Sequence, residues 1–247
     1  MVFSRTGGED RPVAFVSSSR LAGVREHLDA PGADPALVAR ALDDLARINR
    51  LFLGNWLTLR GLSDLLVGVP RGSAVTLLDA GCGGGDVAAA AGRWARRRGL
   101  VPHVVGVDAS PTIVALARRR VGREVDVRVG DVLALDLADG SVDVAMCSLV
   151  LHHFEPDDAV LALRELRRIS RRGVVVNDLV RTPLGLVGAH GAALLLTRNP
   201  ITRHDAVVSA RRAYARRELL ELVAAAGLRA RRVRGALGYR VAVAAEP

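Results

Sequence analysis

Leu77-Leu78-Asp79-Ala80-Gly81-Cys82-Gly83-Gly84-Gly85-Asp86 carries the decisive pattern of this chain. An apolar run at 74–80 leads into the glycines, and the glycines lead into a helical pattern at 86–98. That order reads as a buried strand, a sharp turn and a helix. Glycines let the backbone turn tightly and let a ligand lie against it with no Cβ in the way. A dinucleotide fingerprint calls for glycine at its sixth position, where Asp86 stands instead. No cation lies within the loop to meet a pyrophosphate, and acids flank it on both sides. Two carboxylates beside such a turn suit a ligand with an ammonium group better than one with a pyrophosphate.

Outward from this turn the alternation continues. Strand patterns at 104–107, 125–129, 142–149 and 174–176 are separated by helical patterns at 111–120 and 157–170. Such alternation predicts a mostly parallel sheet with helices on both faces. Downstream, 215–226 reads as a helix, and 228–233 and 239–245 as strands close enough to pair as an antiparallel hairpin. Upstream, Asp34 is a candidate N-cap with Pro35 at the first helical position. Leu37, Ala41, Leu45, Ile48 and Phe52 then form one apolar stripe, and a second helix is expected at 56–66. Residues 1–34 read as a loose arm with at most one short helix near 21–28. Residues 35–247 read as one domain, with N-terminal helices at 35–70 and an inserted lid at 181–214.

Half of the 247 residues are hydrophobic, which excludes disorder of the whole chain. All 35 cations are arginines, and 17 of them fall after residue 159 against 6 of the 26 acids. The net charge of +9 raises a nucleic-acid reading, but only 3% of residues are aromatic and no zinc-finger, RNP or basic-zipper pattern appears. Within 157–172, Arg164, Arg167, Arg168 and Arg171 share one helical face, which reads as a solvated face. Arg181, Arg198 and Arg203, near the expected lid, are the cations left to meet an anionic acceptor. Cys82 and Cys147 are far apart and in unlike contexts, so no disulfide framework or zinc site is expected. No basic-then-apolar leader opens the sequence, and no apolar run reaches the roughly 18 residues of a membrane span. A cytoplasmic, reducing setting is the expectation.

Three acids carry the ligand argument. Asp79 lies just before the glycines, Asp108 ends the next strand, and Asp131 follows the third. Ligands of open α/β sheets bind at the carboxyl ends of the strands, and an acid ending the second strand accepts hydrogen bonds from ribose hydroxyls. A carboxylate at Asp131 stands where an adenine amino group would lie.

LLDAGCGGGD, the acid of VGVDAS, the GD of VRVGDV, and SVDVAMCSLVLHHF followed by LRELRRISRRGVVVNDL together resemble class I S-adenosylmethionine-dependent methyltransferases, in the branch of the ubiquinone and menaquinone enzymes. The resemblance covers roughly residues 74–180, and a fainter one at Asn49-Arg50-Leu51 is to methyltransferases of bacterial natural-product pathways. It implies an α/β, Rossmann-like sheet of seven strands, mostly parallel, with the antiparallel hairpin supplying the last strand. It also implies S-adenosylmethionine as cofactor, with Gly81, Gly83 and Gly85 lining its methionine part and Asp79 near the ammonium. Asp108 would take the ribose hydroxyls with Ala109 beside it, Asp131 and Val132 would hold the adenine, and Ser148 would sit near the sulfonium.

A sulfonium is an activated methyl donor, so positioning supplies most of the rate. A neutral hydroxyl acceptor also gains from a base, and His152 and His153 follow the fourth strand directly. Either one is a candidate base, with Asp178 as its orienting partner; the alternative is that one imidazole shapes the loop and transfer rests on proximity. The expected acceptor is a small apolar or aromatic molecule methylated at oxygen. Its pocket is assigned to 37–66, with Asn49, Asn55 and Trp56, and to the lid, with the apolar run 184–196, His190, Asn199 and His204. Carbon or nitrogen methylation, a nicotinamide oxidoreductase, and an RNA-binding or RNA-modifying protein stay as alternatives. No metal is called for, and monomer and homodimer are both open.

Overall fold

Ala74–Ala80 forms strand β1, with α1 (Pro35–Leu51) and α2 (Gly54–Leu65) before it in a computed structural model that describes residues 19–30, 32–236 and 238–247. The strands that follow are β2 (Val101–Asp108), β3 (Asp126–Val129), β4 (Val142–Ser148), β5 (Ser170–Leu179), β6 (Arg229–Ala236) and β7 (Arg240–Glu246). They make one seven-stranded sheet in the order β3-β2-β1-β4-β5-β7-β6. β1 to β5 run parallel, and β7 is antiparallel to both β5 and β6. The expected terminal hairpin is therefore present. The chain crosses between the parallel strands through α3 (Asp86–Arg97), α4 (Pro111–Val121) and α5 (Pro156–Ile169), while α8 (Arg216–Ala225) precedes the hairpin.

Local chemistry explains the starts of these helices. Asp34 accepts the Ala36 N–H at 2.8 Å with Pro35 in the first turn, and Ser110 accepts the Ile113 N–H. The buried arc of α1 is Val38, Ala41, Leu42 and Asn49, one residue round from the expected stripe, and Leu37, Leu45 and Ile48 are half-buried. The cause is that both α2 and the helix at Pro200–Arg212 pack on α1, so neighbours rather than periodicity centre its buried arc.

Strand alternation divides the core. Val75, Leu77, Val144, Met146 and Val175 pack on the side of α2 and α3. Leu78, Ala80, Ala145, Cys147, Val174 and Val176 pack on the side of α5 and α8. Both cysteines are buried and unpaired.

The insertion is two helices, α6 (Pro183–Leu196) and α7 (Pro200–Arg212), capped by Thr182 and Asn199. Asp44 of α1 fastens them, accepting hydrogen bonds from the hydroxyls of Thr197 and Thr202. The apolar run 184–196 does not wall a pocket as expected, because Leu184, Val187, Leu194 and Leu195 face outward, Leu195 at 86% exposure. Only Gly185 and Ala193 of α6 are buried. Arg181 binds Glu218 and the Ala213 carbonyl, and Arg203, though exposed, binds the Thr197 carbonyl, so two of the three lid cations serve the fold, while Arg198 is exposed.

Residues 1–18 of the arm lie outside the described residues. From residue 19 the arm is fastened rather than loose, with a 3-10 turn at His27–Asp29 as its only helical part among those residues. Leu21 donates to the Arg211 carbonyl, Arg20 reaches the carbonyls of His152 and Phe154, and Asp205 accepts the N–H groups of His27 and Leu28. Arg212 is buried and binds the carbonyls of Val24, His152 and His153. On α5 the solvated-face reading fits Arg164 and Arg167, which are exposed, while Arg168 is tied to Asp139 and Glu165. Among the described residues no helix is long and apolar enough to cross a membrane.

Candidate active site at the carboxyl edge of the sheet

The glycine turn is built by β1 running out beside β2. The N–H groups of Gly81 and Cys82 both donate to the Val107 carbonyl, at 2.7 and 2.9 Å. Gly81 has φ 69°, and a Cβ there would come within 2.4 Å of Val150. Gly83 has φ 51°, and a Cβ there would meet only Leu42 Cδ2 at an ordinary 3.7 Å, so it is the left-handed backbone rather than crowding that calls for glycine in this shelf. Asp108 holds the shelf in place. One of its oxygens accepts the Gly83 N–H and the other the Ser110 N–H, both at 3.0 Å. Each oxygen keeps lone-pair capacity for a ligand hydroxyl.

Three acids converge here, and burial raises all three pKa values. Asp79 is 1% exposed, and burial with the charges of Asp86 and Asp108 pushes its pKa up to about 8. Asp86 and Asp108 are also shifted upward by burial, against their hydrogen bonds. Oδ2 of Asp79 is buried with no hydrogen-bond partner among the described residues. An acidic, desolvated corner with an orphaned carboxylate oxygen fits a cation. The ammonium of the cofactor's methionine part would fill it.

Strand parity sets what stands next to this corner. Ala80 pairs with Cys147 and Ser148 with Asn177, so Gly81, Ser148 and Asn177 lie abreast at the edge. Asp79, Ser148, Asn177 and Arg240 point to the α1–α2 face. Asn177 donates to the Gly54 carbonyl and to Thr58, both at 2.8 Å, and Thr58 meets Ser148 at 3.1 Å. Asn49 bridges Asp86 at 3.4 Å to Arg240 at 2.9 Å. Leu149 and Leu53 hold left-handed φ values of 59° and 62° at this edge, each at a cost of order 1–3 kcal/mol that marks a constrained site.

Asp178 follows Asn177 and points to the opposite face. There Oδ1 lies 2.6 Å from Nδ1 of His152, and Oδ2 accepts the His152 N–H. Nε2 of His152 lies 3.3 Å from Glu26, which also accepts the Ser209 hydroxyl at 2.6 Å. His152 is 2% exposed between two carboxylates. Although burial alone would lower its pKa, Asp178 and Glu26 together raise it to about 10, and the imidazolium in turn holds Glu26 near 2 and Asp178 below its usual range. The expected pairing of His152 with Asp178 is thus seen, but as a buried imidazolium with both nitrogens engaged. A general base needs an unprotonated nitrogen near working pH, and His152 offers none. His153 is partly exposed, with Nδ1 2.9 Å from Asp29 and Nε2 3.8 Å from Glu26.

Farther along the edge, Gly130 donates to the Asp108 carbonyl, which sets the segment after β3 beside β2. Asp131 is exposed and accepts the Leu133 N–H at 2.9 Å. The Val132 side chain is in the core, so its main chain is what it presents to the edge. Ala109 is exposed between Asp108 and Ser110. Of the expected acceptor residues, Asn49 is in the site network, Asn55 lies in the first turn of α2, and Trp56 is half exposed under Arg60. His204 stacks on His27 at 3.6 Å, and Asn199 caps α7.

Glu26, Thr58, Asn177 and Arg240 were not singled out from the sequence. Asn177 and Arg240 carry one faint signal, a polar residue at a core-facing parity of an otherwise apolar strand. Glu26 carries none.

A methyltransferase-domain family model matches residues 78–176. A probable S-adenosylmethionine-dependent methyltransferase of Mycolicibacterium smegmatis is 33% identical over 153 residues, covering 62% of this chain and 53% of that protein. A malonyl-[acyl-carrier protein] O-methyltransferase of Pectobacterium atrosepticum is 35% identical over 112 residues, covering 45% of this chain and 41% of that one. The chain spans 53% or less of the length of the curated relatives it matches. Among solved structures, a methyltransferase of Aquifex aeolicus superposes with a TM-score of 0.60 at 20% identity, over 86% of this chain and 97% of that one, which supports the fold. Residues 78–176 thus match a methyltransferase domain, and the strand order, the glycine shelf and the acids at the strand ends agree with the fold of S-adenosylmethionine-dependent methyltransferases.

Proposed function

We propose that this chain methylates an oxygen of a small organic acceptor, with S-adenosylmethionine as donor. The observation that carries the reading is the orphaned, buried oxygen of Asp79 at the glycine shelf. When bound there, the cofactor supplies an activated methyl group. The chain's own residues bind and orient. Asp79 meets the ammonium, Gly81, Gly83 and Gly85 give close backbone approach, and Asp108 takes the ribose hydroxyls. The segment at Asp131 and Val132 lies against the adenine, and Ser148, steadied by Thr58, stands where β4 meets the acceptor half of the edge. The Asp178–His152–Glu26 cluster fixes the loop after β4 and holds its proton rather than moving one, so positioning supplies the rate. An oxygen acceptor agrees with the Pectobacterium relative, an O-methyltransferase by name.

Calorimetric binding of S-adenosylhomocysteine tests the reading, followed by transfer of labelled methyl to a panel of acids, phenols and quinols. No binding by the folded protein would refute it. Asp79→Asn sharpens the test. The variant is expected to lose at least tenfold in affinity for S-adenosylhomocysteine and to keep that for 5′-methylthioadenosine, which has no ammonium. Because the folded protein raises the pKa of Asp79 from 3.8 to about 8, its contribution to stability is full below pH 3.8 and is lost as pH rises through 8. At pH 8, ligand-free Asp79→Asn should therefore melt higher than wild type, by at least the ~2–4 °C that 1 kcal/mol is worth at this size. A lower melting temperature with unchanged binding would make Asp79 structural.

A further inference from the structure

Arg240 opens β7 in register with Leu179 of β5, at the acceptor half of the edge. It is 3% exposed, and one guanidinium nitrogen donates to Asn49 at 2.9 Å. Nε and the other terminal nitrogen have no hydrogen-bond partner among the described residues. Leaving donors of a buried cation unpaired is among the more costly arrangements a protein interior can hold. The surroundings are shaped for the group. A Cβ at Gly54 would fall 1.8 Å from the guanidinium, so the first residue of α2 is one that leaves it room. Asp86 and Asp178 act on it only at a distance, and neither carboxylate makes a salt bridge with it. The cofactor half of the edge, by contrast, holds Asp79, Asp86 and Asp108.

We propose that Arg240 is the acceptor-binding residue for a carboxylate, and that the acceptor of this site is a carboxylic acid in its ionised form. The inference rests on the methyltransferase reading and names its substrate class. It also accounts for the histidines. Both nitrogens of His152 are taken, between Asp178 and Glu26, and His153 has Nδ1 2.9 Å from Asp29. A carboxylate needs no base. One of its oxygens pairs with the guanidinium, and the other takes the methyl as the carbon–sulfur bond breaks with its electron pair on sulfur. The carboxylate charge and the sulfonium charge cancel, the products are a methyl ester and a neutral thioether, and no proton leaves.

The test uses the purified chain saturated with S-adenosylhomocysteine, with benzoate and octanoate as probes and their carboxamides as neutral isosteres. Wild type is expected to bind at least one acid tenfold or more tightly than its amide. Arg240→Met should erase that preference, Arg240→Lys should keep part of it, and Arg240→Met should melt at or above wild type without ligand because an unpaired buried cation is gone. Equal binding of acids and amides, or no binding of either acid, overturns the proposal. So does a fall of several degrees in the melting temperature of Arg240→Met, which would make the guanidinium a packing element. Loss of S-adenosylhomocysteine affinity in Arg240→Met, with 5′-methylthioadenosine affinity kept, also overturns it by assigning the guanidinium to the cofactor's own carboxylate. If wild type itself fails to bind S-adenosylhomocysteine, it is the methyltransferase reading that falls.

Discussion

His152→Ala is expected to lower stability by about 3–5 kcal/mol, because it leaves the carboxylates of Glu26 and Asp178 buried without their shared cation. For a chain of this size that is a fall in melting temperature of roughly 10 °C. The pH dependence separates this role from catalysis. The folded state raises the pKa of His152 above its ordinary 6.5 to about 10. Its stabilising contribution is therefore fully present below pH 6.5 and lost as pH rises through 10. Glu26 works in the opposite sense. Its pKa falls from 4.5 to about 2, so its contribution is present above pH 4.5 and lost as pH falls through 2. Wild type should lose melting temperature between pH 8 and 10, and His152→Ala should show no such arm. A variant that melts like wild type but loses turnover would instead make His152 a catalytic base.

Asp108→Ala is expected to weaken S-adenosylhomocysteine binding at least ~100-fold, the loss of about 2.7 kcal/mol. Two hydrogen bonds from ribose hydroxyls to an ionised carboxylate are worth about 1.5–3 kcal/mol each, so the estimate is at the low end. A second effect adds to it, since the Gly83 N–H loses the partner that holds the shelf. Stability should change little. Two N–H groups lose an acceptor, but a carboxylate whose pKa burial had raised is removed as well. Asp108→Asn keeps one acceptor oxygen and should lie between the two. Folded Asp108→Ala protein with wild-type affinity would remove Asp108 from the ribose site.

The fold was legible because its signals are local. The turn at Gly81–Gly85, the caps at Asp34 and Ser110, and the alternation of apolar runs each depend on a few neighbouring residues. The grouping of acids at the sheet edge was legible for a related reason. Parallel strands bring their carboxyl ends together, so Asp79, Asp108 and the segment at Asp131 became neighbours once the strands were recognised. The groupings around His152 and Arg240 were not, because their residues come from separate parts of the chain. Glu26 from the arm meets His152 and Ser209, and Arg240 from the last strand meets Asn49 and Gly54.

The sequence by itself determined the sheet, the glycine shelf and the acids at the strand ends, through periodicity and turn chemistry that act within about ten residues. The tertiary structure decided which side of the sheet each polar residue serves. Asn177 and Asp178 are adjacent, yet strand alternation sends one to Thr58 and Ser148 and the other to His152. It also decided charge. A histidine after the fourth strand reads as a base while its surroundings are unknown, and two buried carboxylates make it a held cation. An arginine in a basic C-terminal third reads as surface, yet Arg240 is buried, with two of its three guanidinium nitrogens unpartnered among the described residues.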